Sequence, residues 1–124
     1  MIQLDKKEHA KILEESIEYL EKKGFENIKA DLDGYETPKS FSRQGSDLTV
    51  TPDIVAHRDD KKHYFEVSVK TEKPKILKSK WLILDTLSRL KKQRFKIITV
   101  RGHYKFTNEI LSELNLEKNL IKLN

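Results

Sequence analysis

The segment Phe95 to Val100 reads as a continuous apolar strand, of the sort that a sheet buries on both faces. Such a strand has to be covered by other elements, and the chain supplies a helical pattern before it and another after it. Ile76-Leu77, Trp81, Leu84-Asp85 and Leu87-Ser88 fit a helix from Pro74 to about Gln93. Downstream, Gly102-His103 breaks the chain and Thr107 is a candidate cap for a last helix through Leu114 or Leu116.

The first half completes the pattern. Leu13, Ile17 and Leu20, with His9 and Ala10 one turn earlier, follow a helical period from about Asp5 to Lys23, with Asp5 as candidate N-cap and Gly24 as stop. Phe25 to Leu32 reads as a short strand, Asp33-Gly34 as a turn and Gly34 to Asp47 as a loop. Leu48 to His57 and His63 to Thr71 are two strands whose polar connection, Arg58 to Lys62, predicts an antiparallel hairpin. In the second, Phe65, Val67 and Val69 alternate with Glu66, Ser68 and Lys70. The expected order is α-β-β-β-α-β-α, an α/β (α+β) fold with a mixed four-stranded sheet flanked by helices, in one domain spanning residues 1–124.

Composition excludes several chemistries. With no Cys among 124 residues there are no disulfides, thiolate zinc sites or cysteine nucleophiles, and the chain suits a reducing cytoplasm. Its longest apolar runs, such as Trp81 to Leu84, are too short to cross a bilayer, and the N-terminus has no signal-peptide apolar region, so a cytoplasmic protein with no membrane partner is expected. Charge is unevenly distributed. Arg58 to Lys105 holds 15 Lys and Arg against five Asp and Glu, a net of +10, and the remainder carries −5. That basic segment is either a face for a polyanion or a solvated lysine-rich surface.

The chemistry concentrates on the predicted hairpin, which brings Asp53 of Thr51-Pro52-Asp53 beside Glu66. Two carboxylates are what a hard ion such as Mg²⁺ prefers, with water and a substrate phosphate completing its octahedron. A nearby lysine orients the attacking water and stabilises charge growing on the phosphate. A plain reading competes, in which Glu66, Ser68 and Lys70 are the solvated face of an amphipathic strand.

Pro52-Asp53 and the Phe65-Glu-Val-Ser-Val-Lys70 strand, with this element order, resemble the PD-(D/E)XK nuclease superfamily, which includes Holliday junction resolvases and many restriction endonucleases. The likeness covers most of the chain and implies a restriction-endonuclease-like core and a Mg²⁺- or Mn²⁺-dependent endonuclease. It implies that Asp53 and Glu66 hold the metal and Lys70 assists the water. Within that superfamily the chain is also similar to small uncharacterised phage and bacterial proteins that share the Thr-Pro-Asp, the Glu with Lys four residues on, the Lys80-Trp81 helix start and the Gly102-His103 turn. The family separates its acid and lysine by one residue. Here three intervene, about 13 Å along a strand, and Ser68 stands at the acid position. The family also sets a metal-site Glu on the first helix. Leu13 aligns there, flanked by His9 and Glu14, so Glu14 and Ser68 are further site candidates.

The resemblance implies DNA as substrate, branched or structured forms included, and a homodimer, since a domain this small has little surface to hold a duplex. Arg43, Arg58, Lys78, Lys80 and His103 are the candidate nucleic-acid contacts. The alternative is a catalytically degenerate nuclease-fold module that binds nucleic acid or a protein without cleaving, or an unrelated α/β adaptor. The convergence or divergence of Asp53, Glu66 and Lys70 is the discriminating observation.

Overall fold

The computed structural model describes residues 2–42 and 49–124. Helix α1 spans Ile2–Lys22, so Asp5 lies inside it rather than capping it. Ile12, Leu13, Ile17 and Leu20 make its buried stripe. It ends at Gly24, whose φ of +89° is left-handed. There the Phe25 N–H reaches Leu20 O at 3.0 Å and the Gly24 N–H reaches Glu21 O at 3.1 Å, so the last carbonyls are satisfied and the chain turns into β1 (Glu26–Ala30).

The predicted strand Leu48 to His57 is interrupted. β3 (Thr49–Val50) pairs with β2 (Phe41–Ser42) in a small separate ribbon, while β4 (Ile54–Arg58) joins the main sheet. Pro52 lies at the break, where a residue without an N–H cannot continue a ladder. β4 and β5 (Lys61–Ser68) form the expected antiparallel hairpin, with Ile54 opposite Phe65 and Arg58 opposite Lys61. Its turn is only Asp59-Asp60, both with positive φ (53° and 62°), the pattern of a two-residue type I′ turn. Because turn length sets register, this pair of residues decides which side chains meet at the far end of the hairpin.

β5 pairs in parallel with β6 (Arg94–Thr99) through helix α2 (Pro74–Leu90), and β6 pairs in parallel with β7 (Leu120–Lys122) through α3 (Tyr104–Leu114) and a 3₁₀ turn at Glu117–Asn119. The fold is mixed α/β with sheet order β1-β4-β5-β6-β7. The main sheet therefore has five strands rather than the expected four. Three residues in a lysine-rich tail carry too little alternation to announce β7; pairing with the central strand β6 makes it a strand. Thr107 is not a cap either. It lies within α3, fully buried, with its hydroxyl 2.7 Å from Ser68 Oγ and 3.0 Å from Thr99 Oγ1.

Both faces of the sheet are covered. Phe65, Val67, Ile54 and Ile98 pack against α1, while Tyr64, Val55 and Ile97 pack against Trp81 and Leu84 of α2 and Leu111 of α3. β5 is buried on both sides as a result, which removes the reading of Glu66 and Ser68 as a solvated face: Glu66 is 1% exposed and Ser68 0%. No helix among the described residues is long and apolar enough to cross a membrane.

Trp81 anchors α2 to the sheet and is wholly buried, whereas its neighbour Leu82 is 43% exposed. Trp81→Ala is expected to cost about 3–5 kcal/mol of stability, and Leu82→Ala less than about 1 kcal/mol. Urea midpoints at constant m-value read the difference.

Candidate functional site

Continuing the β4–β5 register one step beyond Ile54 and Phe65 sets Asp53 opposite Glu66. At that step the ladder is closed by side chains. The Asp53 N–H donates to Glu66 Oε2 at 2.8 Å, and the Val67 N–H donates to Asp53 Oδ2 at 2.8 Å. Each carboxylate thereby replaces a backbone acceptor, and both are locked at the end of the sheet by the β5 register.

Two further residues reach the pair from opposite layers. From α2, Lys80 Nζ lies 3.0 Å from Glu66 Oε1 and 3.6 Å from Asp53 Oδ1. From α1, His9 Nε2 lies 3.4 Å from Asp53 Oδ2. Burial works to raise the Asp53 carboxyl, but the His9 hydrogen bond, the Lys80 charge and the Val67 N–H outweigh it and hold the group below the usual aspartate range. Glu66 has the opposite fate: burial, then the Asp53 charge beside it, push it up to about 8 against the pull of Lys80. Burial also opposes the charge on Lys80, yet the two carboxylates hold its ammonium above the ordinary lysine value. The hydrogen bond to Asp53 raises His9 in the same way. The site is thus an unevenly compensated cluster of two carboxylates, one ammonium and one imidazole.

The pair opens on a cavity of about 610 Å³ between α1 and α2, whose walls include His9, Leu13, Val69, Lys70, Lys73 and Leu77. Asp31, just after β1, lines it too, with its N–H 3.3 Å from Asp53 O.

The sequence candidates divide as follows. Asp53 and Glu66 are brought together. Lys70 stands on the cavity wall, but among the described residues it forms no ion pair with either carboxylate; Lys80, expected as a DNA contact, is the lysine that does. Glu14 is exposed and lines a separate surface groove with Glu18 and Glu21, so α1 presents His9 and Leu13 to the site instead. Ser68 is spent in the hydroxyl cluster with Thr107. His103 is tied at both nitrogens: Nδ1 accepts the Lys70 N–H at 2.9 Å, so Nε2 carries the proton and faces Glu8 Oε1 at 3.0 Å. Lys78 pairs with Glu113 of α3. Arg58 lies at the other end of β4, stacked on Phe25 and donating to Lys23 O. Arg43 lies outside the described residues.

His9 and Lys80 carried a readable signal. Each falls on the buried stripe of its helix, His9 four residues before Leu13 and Lys80 three after Leu77 and four before Leu84, where a polar residue needs a partner. Asp31 had none, being one of several acids around a turn. Set against protein-family models, curated proteins and solved structures, the chain matches none.

A raised folded-state carboxyl gives stability that is present at low pH and lost as pH rises. Glu66 therefore makes the fold less stable as pH climbs from its ordinary 4.5 to about 8. His9, also raised, adds loss in the same direction above 6.5. Glu66→Gln is expected to flatten the slope of stability against pH across the Glu66 window, leaving the His9 part. Urea midpoints through that range, at constant m-value, measure it.

Proposed function

We propose that the chain is a metal-dependent endonuclease of the PD-(D/E)XK type, with a restriction-endonuclease-like core, that hydrolyses DNA phosphodiester bonds using Mg²⁺ or Mn²⁺. The observation that carries this reading is the convergence of Asp53, Glu66 and Lys80 at the end of the β4–β5 hairpin, at the wall of an open cavity. The element order supports it as well, since the helix, strands, helix and strand of the family's core have counterparts in α1, β1, β4, β5, α2 and β6.

The donor set fits a hard divalent ion. Two adjacent buried carboxylates share one ammonium, and burial, then the Asp53 charge, pushes Glu66 upward. Among the described residues no three His, Cys, Asp or Glu side chains form a ready cage. An ion would rest on two protein carboxylates and take its remaining ligands from water and phosphate, which is the Mg²⁺ habit rather than that of a structural Zn²⁺. Asp53 and Glu66 would hold it, and it would supply Lewis acidity and an activated water. Lys80 keeps a cation beside the reacting phosphate and stabilises the charge that builds there. His9 orients Asp53, and Lys70 adds a second ammonium on the wall. The proposed location is the cytoplasm, and a second copy of the chain is the proposed partner, each protomer bringing one site.

A second reading, a non-cleaving module that binds nucleic acid or a protein, is favoured by the divergence of Lys70 from Asp53 and Glu66 and by Lys80, which bridges both carboxylates.

Titration calorimetry with Mg²⁺ and Mn²⁺, followed by incubation with linear and branched DNA, separates the two. Wild-type protein is expected to bind metal and cut. Asp53→Asn should lose both, Lys80→Ala should slow turnover by about 10²–10³-fold with metal still bound, and Lys70→Ala should cost less. Undiminished cutting by Asp53→Asn overturns the assignment, and no metal binding even with DNA present selects the module. Sedimentation of the same samples reads the dimer.

A further inference from the structure

A second cavity, about 580 Å³, adjoins the first at Asp53 and is lined by Thr49, Thr51, Lys75 and Ser79 among others. It shares Asp31, Asp53, Ile76 and Lys80 with the first. The two therefore adjoin along these four residues, with Asp53 lining both and Glu66 the first alone, and we treat them as arms of one trough. Each arm carries its own cations and hydroxyls, Lys70, Thr71 and Lys73 on one side and Lys75, Ser79 and Thr51 on the other. Each also has apolar floor, Val69 and Leu77 against Val50 and Pro52. Four lysines face three carboxylates along the whole trough, and all four come from the basic segment Arg58 to Lys105.

Ile76 stands where the arms meet. It sits in the first turn of α2 and is 68% exposed, an aliphatic side chain left in water beside the most buried charges of the protein. Those charges are recessed, Asp53 at 8% and Glu66 at 1% exposure.

We infer that the trough binds one unpaired DNA strand, running through both arms with a phosphate at the Asp53–Glu66 pair and Ile76 wedged against a neighbouring base. Repeating phosphates match the lysines and hydroxyls of the two arms, and unstacked base faces match the apolar floor and Ile76. In an intact duplex the bases are stacked and paired, leaving neither Ile76 nor the floor a partner, and the recessed carboxylates lie beyond a strand still held by its complement. The two arms make the strand pass through rather than end at the site, so internal bonds are the ones presented. The inference deepens the nuclease reading and rests on it for what happens to the central phosphate.

Fluorescence anisotropy of labelled oligonucleotides without divalent metal tests it apart from the chemistry. The probes are a single strand, a blunt duplex of the same sequence and that duplex with an unpaired internal stretch. Wild-type protein is expected to bind the single strand and the unpaired stretch about tenfold more tightly than the duplex. Ile76→Ala, at an exposed position that leaves the core intact, should lose about fivefold on unpaired DNA and nothing on the duplex. Lys73→Ala and Lys75→Ala, one in each arm, should each reduce the slope of log affinity against log salt by about 0.7. Equal or tighter duplex binding overturns the inference, as does an unchanged salt slope for either lysine or no binding to any probe. Preference for unpaired DNA with no cutting under Mg²⁺ keeps the trough and removes the nuclease reading. Cutting with no such preference does the reverse.

Discussion

Where the β4–β5 ladder runs out, Asp53 and Glu66 exchange the roles of main chain and side chain: the backbone of Asp53 is held by the Glu66 carboxylate, and the Asp53 carboxylate is held by the backbone of Val67. That exchange fixes everything around it. Pro52 ends the β3 stretch and lets the chain leave the sheet, so a backbone pair that would have closed the hairpin is replaced by two carboxylate acceptors. Buried backbone donors have to be satisfied, and here the groups that satisfy them are the ones that bear charge. The site is a way of finishing a hairpin, and its geometry is as well determined as the hairpin's register.

Finishing it with carboxylates has an electrostatic cost. Two acids side by side in a desolvated place repel each other, and burial of the second is what drives Glu66 upward. The three-layer arrangement supplies the remedy, because a charge at the end of a sheet covered on both faces can be met from both. His9 comes from the α1 layer and Lys80 from the α2 layer. Replacing such a cluster by apolar groups is often neutral or stabilising. Buried clusters of this kind at the wall of a cavity are candidates for binding sites, which is the basis of the proposed function.

The hairpin and the nearness of its carboxylates were legible because a polar connection between two alternating runs is a local signal. The register was not, since the connection read as Arg58 to Lys62 is the two-residue turn Asp59-Asp60, and it is that turn which sets Asp53 against Glu66. The lysine's partners were not legible either: the helical stripe marks Lys80 as needing a buried partner, but spacing along a strand says nothing of which residue that is. Lys70 shares a strand with Glu66, but four residues of extended chain carry it up the cavity wall, while Lys80 is ten residues beyond it and returns through α2 packing. The same limit misplaced Glu14. An alignment by motif fixes a helix only to within a turn, and the stripe made by Ile12, Leu13 and Leu20 turns Glu14 to solvent and His9 to the site. β7 and the burial of Thr107 were equally invisible, since both depend on what β6 offers as a neighbour.

A lysine borne by a helix also changes what the site depends on. A strand lysine would be held by the same ladder as the acids and would move with them. Lys80 is held by α2, and the residue beside it, Trp81, is the largest side chain wholly buried in the protein. The Trp81 side chain sets how α2 lies on Tyr64, Val55 and Ile97, and so how far the Lys80 ammonium stands from the two carboxylates. Ile76 is carried by the first turn of the same helix. One packing contact therefore couples three quantities: the stability of the α2 layer, the compensation of the Asp53–Glu66 charges and the width of the cavities that Ile76 and Lys80 line. A change in the core beneath α2 would be felt at the carboxylates without altering any residue that touches them.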